Sequence, residues 1–131
     1  MKRAAGRIAA VWGNIRDSYD FLFDGYILSM IGATGALHLG LWYYLNTNAG
    51  PPEAFIPLHF TYAFGVDLIG RAAEMYYVAY WAIAFSIVNI LCARFAYRYD
   101  ILAAYFLASA LPLVHGIMLF ESILVMNAGV V

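Results

Sequence analysis

"PLHFTYAFGVDLIG" (residues 57–70) lies between two long apolar stretches and does not read like either of them. From one residue earlier, the even positions Ile56, Leu58, Phe60, Tyr62, Phe64, Val66 and Leu68 are apolar. The odd positions Pro57, His59, Thr61, Ala63, Gly65 and Asp67 are small or polar. A repeat of two predicts a strand with one apolar face. An isolated strand is unstable, and its backbone donors and acceptors need partners. The segment therefore either turns back as a hairpin near 63–65 or pairs with a strand of another chain. An interfacial helix is the competing reading. It fits less well, because the helical neighbours of Phe60, namely Phe64 and Asp67, mix apolar with charged.

Around this segment the chain reads as membrane helix. Its 131 residues are 65% hydrophobic and 11% charged, with a formal net charge of −1. Soluble domains carry about 25% charged residues. The charge balance excludes nucleic acid as a partner class. Three apolar runs of about 20 residues or more, at 26–45, 75–95 and 101–126, suffice to cross a ~30 Å hydrocarbon core. Lys2, Arg3, Arg7, Arg16, Arg94 and Arg98 fall on one side of these spans, and only Arg71 falls on the other. The positive-inside rule then puts the N-terminus in the cytoplasm, with the 46–74 loop and the C-terminus outside. Trp42, Tyr43, Tyr44, Tyr76, Tyr77, Tyr80 and Trp81 mark the outer interface. Tyr26, Tyr97 and Tyr99 mark the inner one.

The expected fold is one all-α membrane domain over 1–131. It has three transmembrane helices, an amphipathic interfacial helix at 4–24, and a short strand or hairpin at 56–69 in the outer loop. Ile8, Trp12, Ile15, Tyr19 and Leu22 form the apolar stripe of that first helix, which rests on the membrane or on a partner's surface. "NTNAGPPE" (46–53) ends the first span. The basic start precedes a span long enough to act as an anchor and not as a cleaved leader.

Lipid does not pair helices through hydrophobicity, so small residues are the expected contacts. Gly32, Ala36 and Gly40 form such a ridge on the first span. Ala82, Ser86, Asn89, Ala93 and Ala96 form one on the second, and Ala104, Ala108 and Gly116 on the third. They serve packing within the bundle, or leave one face for a second protein. Asn89 is expected to face a neighbouring helix as a hydrogen-bonding link. Cys92 is expected to be a small buried hydrophobe, and Pro112 to kink the third span.

His38 and His115 fall at matched depth on parallel spans. That is the arrangement of a haem b or chlorin with two histidine ligands, of a hydrogen-bonded pair, or of two unrelated core residues. Glu121 is expected to pair with Arg71 or His59 at the outer boundary. A metal site from Glu53, His59 and Asp67 requires the loop to fold back, and no metal is assigned. There is no HExxH, CxxC or phosphate loop, and no serine beside a base.

"PLHFTYAFGVDLIG", followed by "NILCA", "AYFLA" and "LVMN", resembles a family of small uncharacterised membrane proteins of candidate-phylum bacteria with reduced genomes. The likeness rests on Leu58, His59, Phe64, Gly65, Asp67, Leu68, Ile69, Gly70, Asn89 and Asn127, and covers about 56–127. Phe60, Thr61 and Arg71 depart from the family pattern. The resemblance implies three spans in a bacterial plasma membrane and an external motif, and it implies no activity.

The expectation is a non-enzymatic accessory subunit, with lipid and other membrane subunits or a second copy as partners. His59, Phe60, Tyr62, Phe64 and Asp67 would make the contact. The alternatives are a haem-binding anchor using His38 and His115, and a small oligomeric channel lined by Glu121, Asn89 and the histidines.

Overall fold

The computed structural model describes residues 13, 19–61 and 63–128. Among the described residues the long elements are three helices and one hairpin: α1 (Gly25–Asn48), β1 (Phe55–Thr61), β2 (Gly65–Arg71), α2 (Ala72–Ala96) and α3 (Ile101–Ala128). The amphipathic helix expected over 4–24 lies outside the described residues, apart from Gly13 and a last helical turn at 19–22.

Helix ends follow local chemistry. Asp24 caps α1, its Oδ1 accepting from the N–H groups of Tyr26 (2.9 Å) and Ile27 (3.1 Å). Asp100 caps α3 in the same way through the N–H groups of Leu102 and Ala103. α1 stops where Gly50 takes φ +73°, just before Pro51 and Pro52. α2 has no side-chain cap. Instead, carbonyls of the 51–54 turn accept its first N–H groups: Ala72 N–H binds Ala54 O (2.8 Å) and Ala73 N–H binds Pro52 O (3.3 Å). α3 runs unbroken through Pro112.

α3 is the centre of the bundle. It packs on both α1 and α2, which touch each other little. Its buried positions Ala104, Ala108, Leu111, His115, Ser122 and Val125 recur at three, four and seven, the seam of closely aligned helices. α2 contributes Met75, Ala79, Ala82, Asn89 and Ala93, close to the small stripe expected of it. α1 differs from expectation. It buries Ile27, Thr34, Leu41 and Leu45, whereas Gly32 and Ala36 are exposed. Only Gly40 of the expected ridge meets a neighbour, with Leu119 beside it. The reason lies on α3. Ala104 and Ala108 of α3 are themselves buried small residues, and Ala108 packs in one cluster with Ile27 of α1 and Ala93 of α2, so α1 contributes a larger side chain to that cluster. Cys92 is exposed and not buried, because Asn89 and Ala93 occupy the packed face of α2.

β1 and β2 form an antiparallel pair, so the hairpin reading holds over the interfacial helix. Gly65 closes the turn at φ +73°, a left-handed conformation that a side chain disfavours. The single apolar face does not survive. Register slips once at Leu58 on β1 and back at Asp67 on β2, leaving each without an opposite residue. Each slip changes which face the following residues occupy. Ile56 and Leu58 therefore pack on the bundle end with Leu41, Leu45, Met75 and Val125, while Phe64 and Leu68 are exposed. Leu58 crosses directly over Gly70, where a Cβ would collide with its side chain.

Among the described residues, α2 and α3 are long and apolar enough to cross a membrane. About a fifth of the most apolar stretch of each is buried inside the molecule, 22% in both cases. Leu91, Phe95, Leu102 and Phe106 are among the large side chains that remain outside. α1 is of similar length, but glycines, His38 and its Trp42–Tyr44 aromatics dilute it.

Candidate functional site

Three polar groupings lie along the bundle. At one end the Asp24 carboxylate joins all three helices. Oδ1 caps α1, and Oδ2 accepts the hydroxyls of Tyr97 (3.0 Å) and Tyr105 (2.8 Å). Ser109 donates to Tyr105 O (2.7 Å), which leaves its oxygen to accept from the Tyr26 hydroxyl, also at 2.7 Å. Partial burial works against the Asp24 charge, but the Tyr105, Ile27, Tyr97 and Tyr26 donors outweigh it and hold the carboxyl below its ordinary range. Burial, then the bond to Asp24 and its charge, push the Tyr97 phenol up to about 12.

Midway along the bundle, between the two apolar clusters, the parallel run of α1 and α3 brings His38 and His115 together. Their ring centroids are 5.4 Å apart with planes at 70°. Both tautomers are set by partners. Trp42 Nε1–H donates to His38 Nε2 (2.8 Å), so in the neutral ring the proton is on Nδ1. His115 Nδ1 donates to Leu111 O (3.0 Å), leaving a lone pair on Nε2. His115 is only 1% exposed. His38, His115, Thr34 and Ser86 line a cavity of about 230 Å³. Sites enclosing drug-sized ligands measure ~300–1,000 Å³. Axial ligation of a macrocycle by both rings would require His38 to give up its Trp42 bond and the two rings to part.

Several polar atoms here are unpaired. His38 Nδ1, Ser86 Oγ and Asn89 Oδ1 are buried without a hydrogen-bond partner. Ser86 stands apart from the other described helical hydroxyls. Ser29, Thr34, Thr47, Ser109 and Ser122 each donate to a carbonyl three or four residues back. Asn89 faces inward as expected, but its carbonyl oxygen makes no link.

The hairpin forms the opposite end. The turn brings His59 and Asp67 together across the two register slips, with Nδ1 donating to Oδ1 at 2.7 Å. Phe64 is 84% exposed at the tip, and Phe55, Leu68 and Ile69 are also exposed. Phe60 stands opposite Val66 in the ladder, and Tyr62 lies outside the described residues. Glu121 is exposed on α3. Its expected pairing with Arg71 or His59 is not formed among the described residues, because His59 is taken by Asp67. Nor do three His, Cys, Asp or Glu side chains converge anywhere among the described residues.

Sequence reading missed Asp24, Tyr105, Thr34 and the Trp42 bond to His38. Trp42 is four residues from His38, a spacing that places both on one helix face. The partners of Asp24 are 73 and 81 residues away. Comparison of the chain with family models, curated proteins and solved structures gave no match.

Proposed function

We propose that the chain is an integral membrane protein of three crossing helices, non-enzymatic, that presents its hairpin outside the cell as an assembly surface. The observation carrying this reading is the β2 edge. A two-stranded sheet leaves one edge of each strand unpaired. β1 leans on α3 and contains Pro57, which cannot donate to a further strand. β2 has no proline and exposes Asp67, Leu68, Ile69 and Arg71. It accepts a strand from a second copy or a partner subunit. The apolar surface left on α2 and α3 supports the membrane assignment, and the basic residues at the Asp24 end support the orientation.

The test is the mass of the complex purified in mild detergent. The wild-type chain should run as an assembly. Ile69→Lys, a charge on the free edge, should release monomers with unchanged helix content. His59→Ala and Asp67→Ala should weaken assembly and leave membrane insertion intact. A wild-type monomer that retains no partner, or an assembly indifferent to all three changes, overturns the proposal.

A further inference from the structure

The open edge of β2 has defined ends. At one, Asp67 is the bulged residue, with no opposite in the ladder to β1. At the other, α2 begins at Ala72. A further strand can therefore pair along 67–71, where Asp67, Leu68, Ile69 and Arg71 are exposed. Alternation puts Asp67, Ile69 and Arg71 on one face of the strand.

Charge specifies what fits this edge, given the assembly reading of the hairpin, on which this inference rests. Opposite charges stand at the two ends of the stretch. Asp67 uses Oδ1 for His59, and among the described residues its Oδ2 takes no bond. Arg71 forms no ion pair among the described residues. Consider an antiparallel strand of the same sequence, aligned over the whole stretch. Asp67 then faces Arg71 twice, Leu68 faces Gly70 twice, and Ile69 faces itself. Both flanking pairs bring opposite charges together, which favours the pairing. Parallel alignment would instead set Asp67 against Asp67 and Arg71 against Arg71, and like charges directly opposite are destabilising. Ile69, 64% exposed and opposite Pro57 in the hairpin, would be covered by its copy in the antiparallel arrangement.

We propose that the hairpin's partner is a second copy of this chain, the two β2 edges joining antiparallel about a two-fold axis at Ile69. The product is one four-stranded sheet in the order β1-β2-β2-β1. Its outer edges are the two β1 strands, each with Pro57 and each leaning on α3. Neither offers a full row of donors, so assembly closes at two.

The test is oxidative crosslinking of the full chain in membranes, in a Cys92→Ser background. Opposed residues of an antiparallel pair have Cα atoms about 4.5–5.5 Å apart, within the ~4.4–6.8 Å reach of a disulfide. Ile69→Cys should therefore give a covalent dimer. Leu68→Cys would lie on the diagonal, about 7–8 Å from its copy, and Phe64→Cys lies outside the paired stretch. Both should stay uncrosslinked. The noncovalent dimer in mild detergent should loosen about tenfold in Arg71→Glu, which sets like charges opposite each other twice. Failure of Ile69→Cys to crosslink, equal crosslinking of Leu68→Cys or Phe64→Cys, or an Arg71→Glu dimer as tight as the wild type overturns the proposal. If Ile69→Lys still disrupts a wild-type assembly but Ile69→Cys does not crosslink, self-pairing fails and the assembly surface stands. A wild-type monomer ends both.

Discussion

The Asp24 layer and the His38 layer cross the same bundle, and their hydrogen bonding is opposite. Around Asp24 every polar group just described has a partner: two backbone N–H groups, two tyrosine hydroxyls, and the Tyr26–Ser109–Tyr105 chain beside them. Around His38, by contrast, His38 Nδ1, Ser86 Oγ and Asn89 Oδ1 are left over. A fully satisfied network fixes geometry, and unpaired buried polar atoms cost stability. The first layer joins helices, and the second leaves polar atoms without a partner.

Mutation of the closed layer should have the largest effect. Asp24→Ala removes a helix cap and leaves two hydroxyls without their acceptor, which together cost about 2–3 kcal/mol. Thermal melting in mild detergent should fall clearly, and Asp24→Asn, which can still cap, should fall less. An unchanged melt for Asp24→Ala would remove the distinction between the layers.

The pH profile sharpens the same contrast. The Asp24 carboxyl is held below its ordinary value of 3.8, so its contribution is full above that value and is lost as pH falls through the folded-state value. Tyr97 is raised from 10.0 to about 12, so its contribution is full below 10 and is lost as pH rises toward 12. Stability should therefore plateau between these limits and decline at both ends. Asp24→Asn should flatten the acid decline.

The smallest effects should differ in sign. Ser109→Ala breaks a satisfied bridge and should destabilise by about 1 kcal/mol. Ser86→Ala deletes an unpaired hydroxyl and should be neutral or slightly stabilising. Equal losses in the two variants would mean that Ser86 is satisfied after all.

Much of this was legible in the residues, for identifiable reasons. Helix limits were readable within a few residues from the lengths of the apolar runs and from the break at 46–53, whereas the Asp24 and Asp100 caps were not read. The hairpin was readable from its period and from Gly65. The matched depth of His38 and His115 followed from counting along parallel helices, but their meeting was one of several arrangements left open and came from the structure. The α1 ridge misled, because Gly32, Ala36 and Gly40 look like a packing face, and nothing local says that the buried small residues are Ala104 and Ala108 of α3 instead. The single apolar face of the strand failed at Leu58 and Asp67, since a register slip depends on the partner strand. The Asp24 clasp was invisible because Tyr97 and Tyr105 come from the far half of the chain.

Three crossings with the hairpin opposite the basic residues underlie the whole account, and single-cysteine labelling tests them most directly. In a Cys92→Ser background, Phe23→Cys, Phe64→Cys and Tyr99→Cys each place a thiol at an exposed position. An impermeant maleimide applied to intact cells should label Phe64→Cys alone, with the other two reacting only after the membrane is opened. Labelling of Phe23→Cys together with Phe64→Cys would show that α1 does not cross, and labelling of all three in one compartment would contradict the membrane reading altogether.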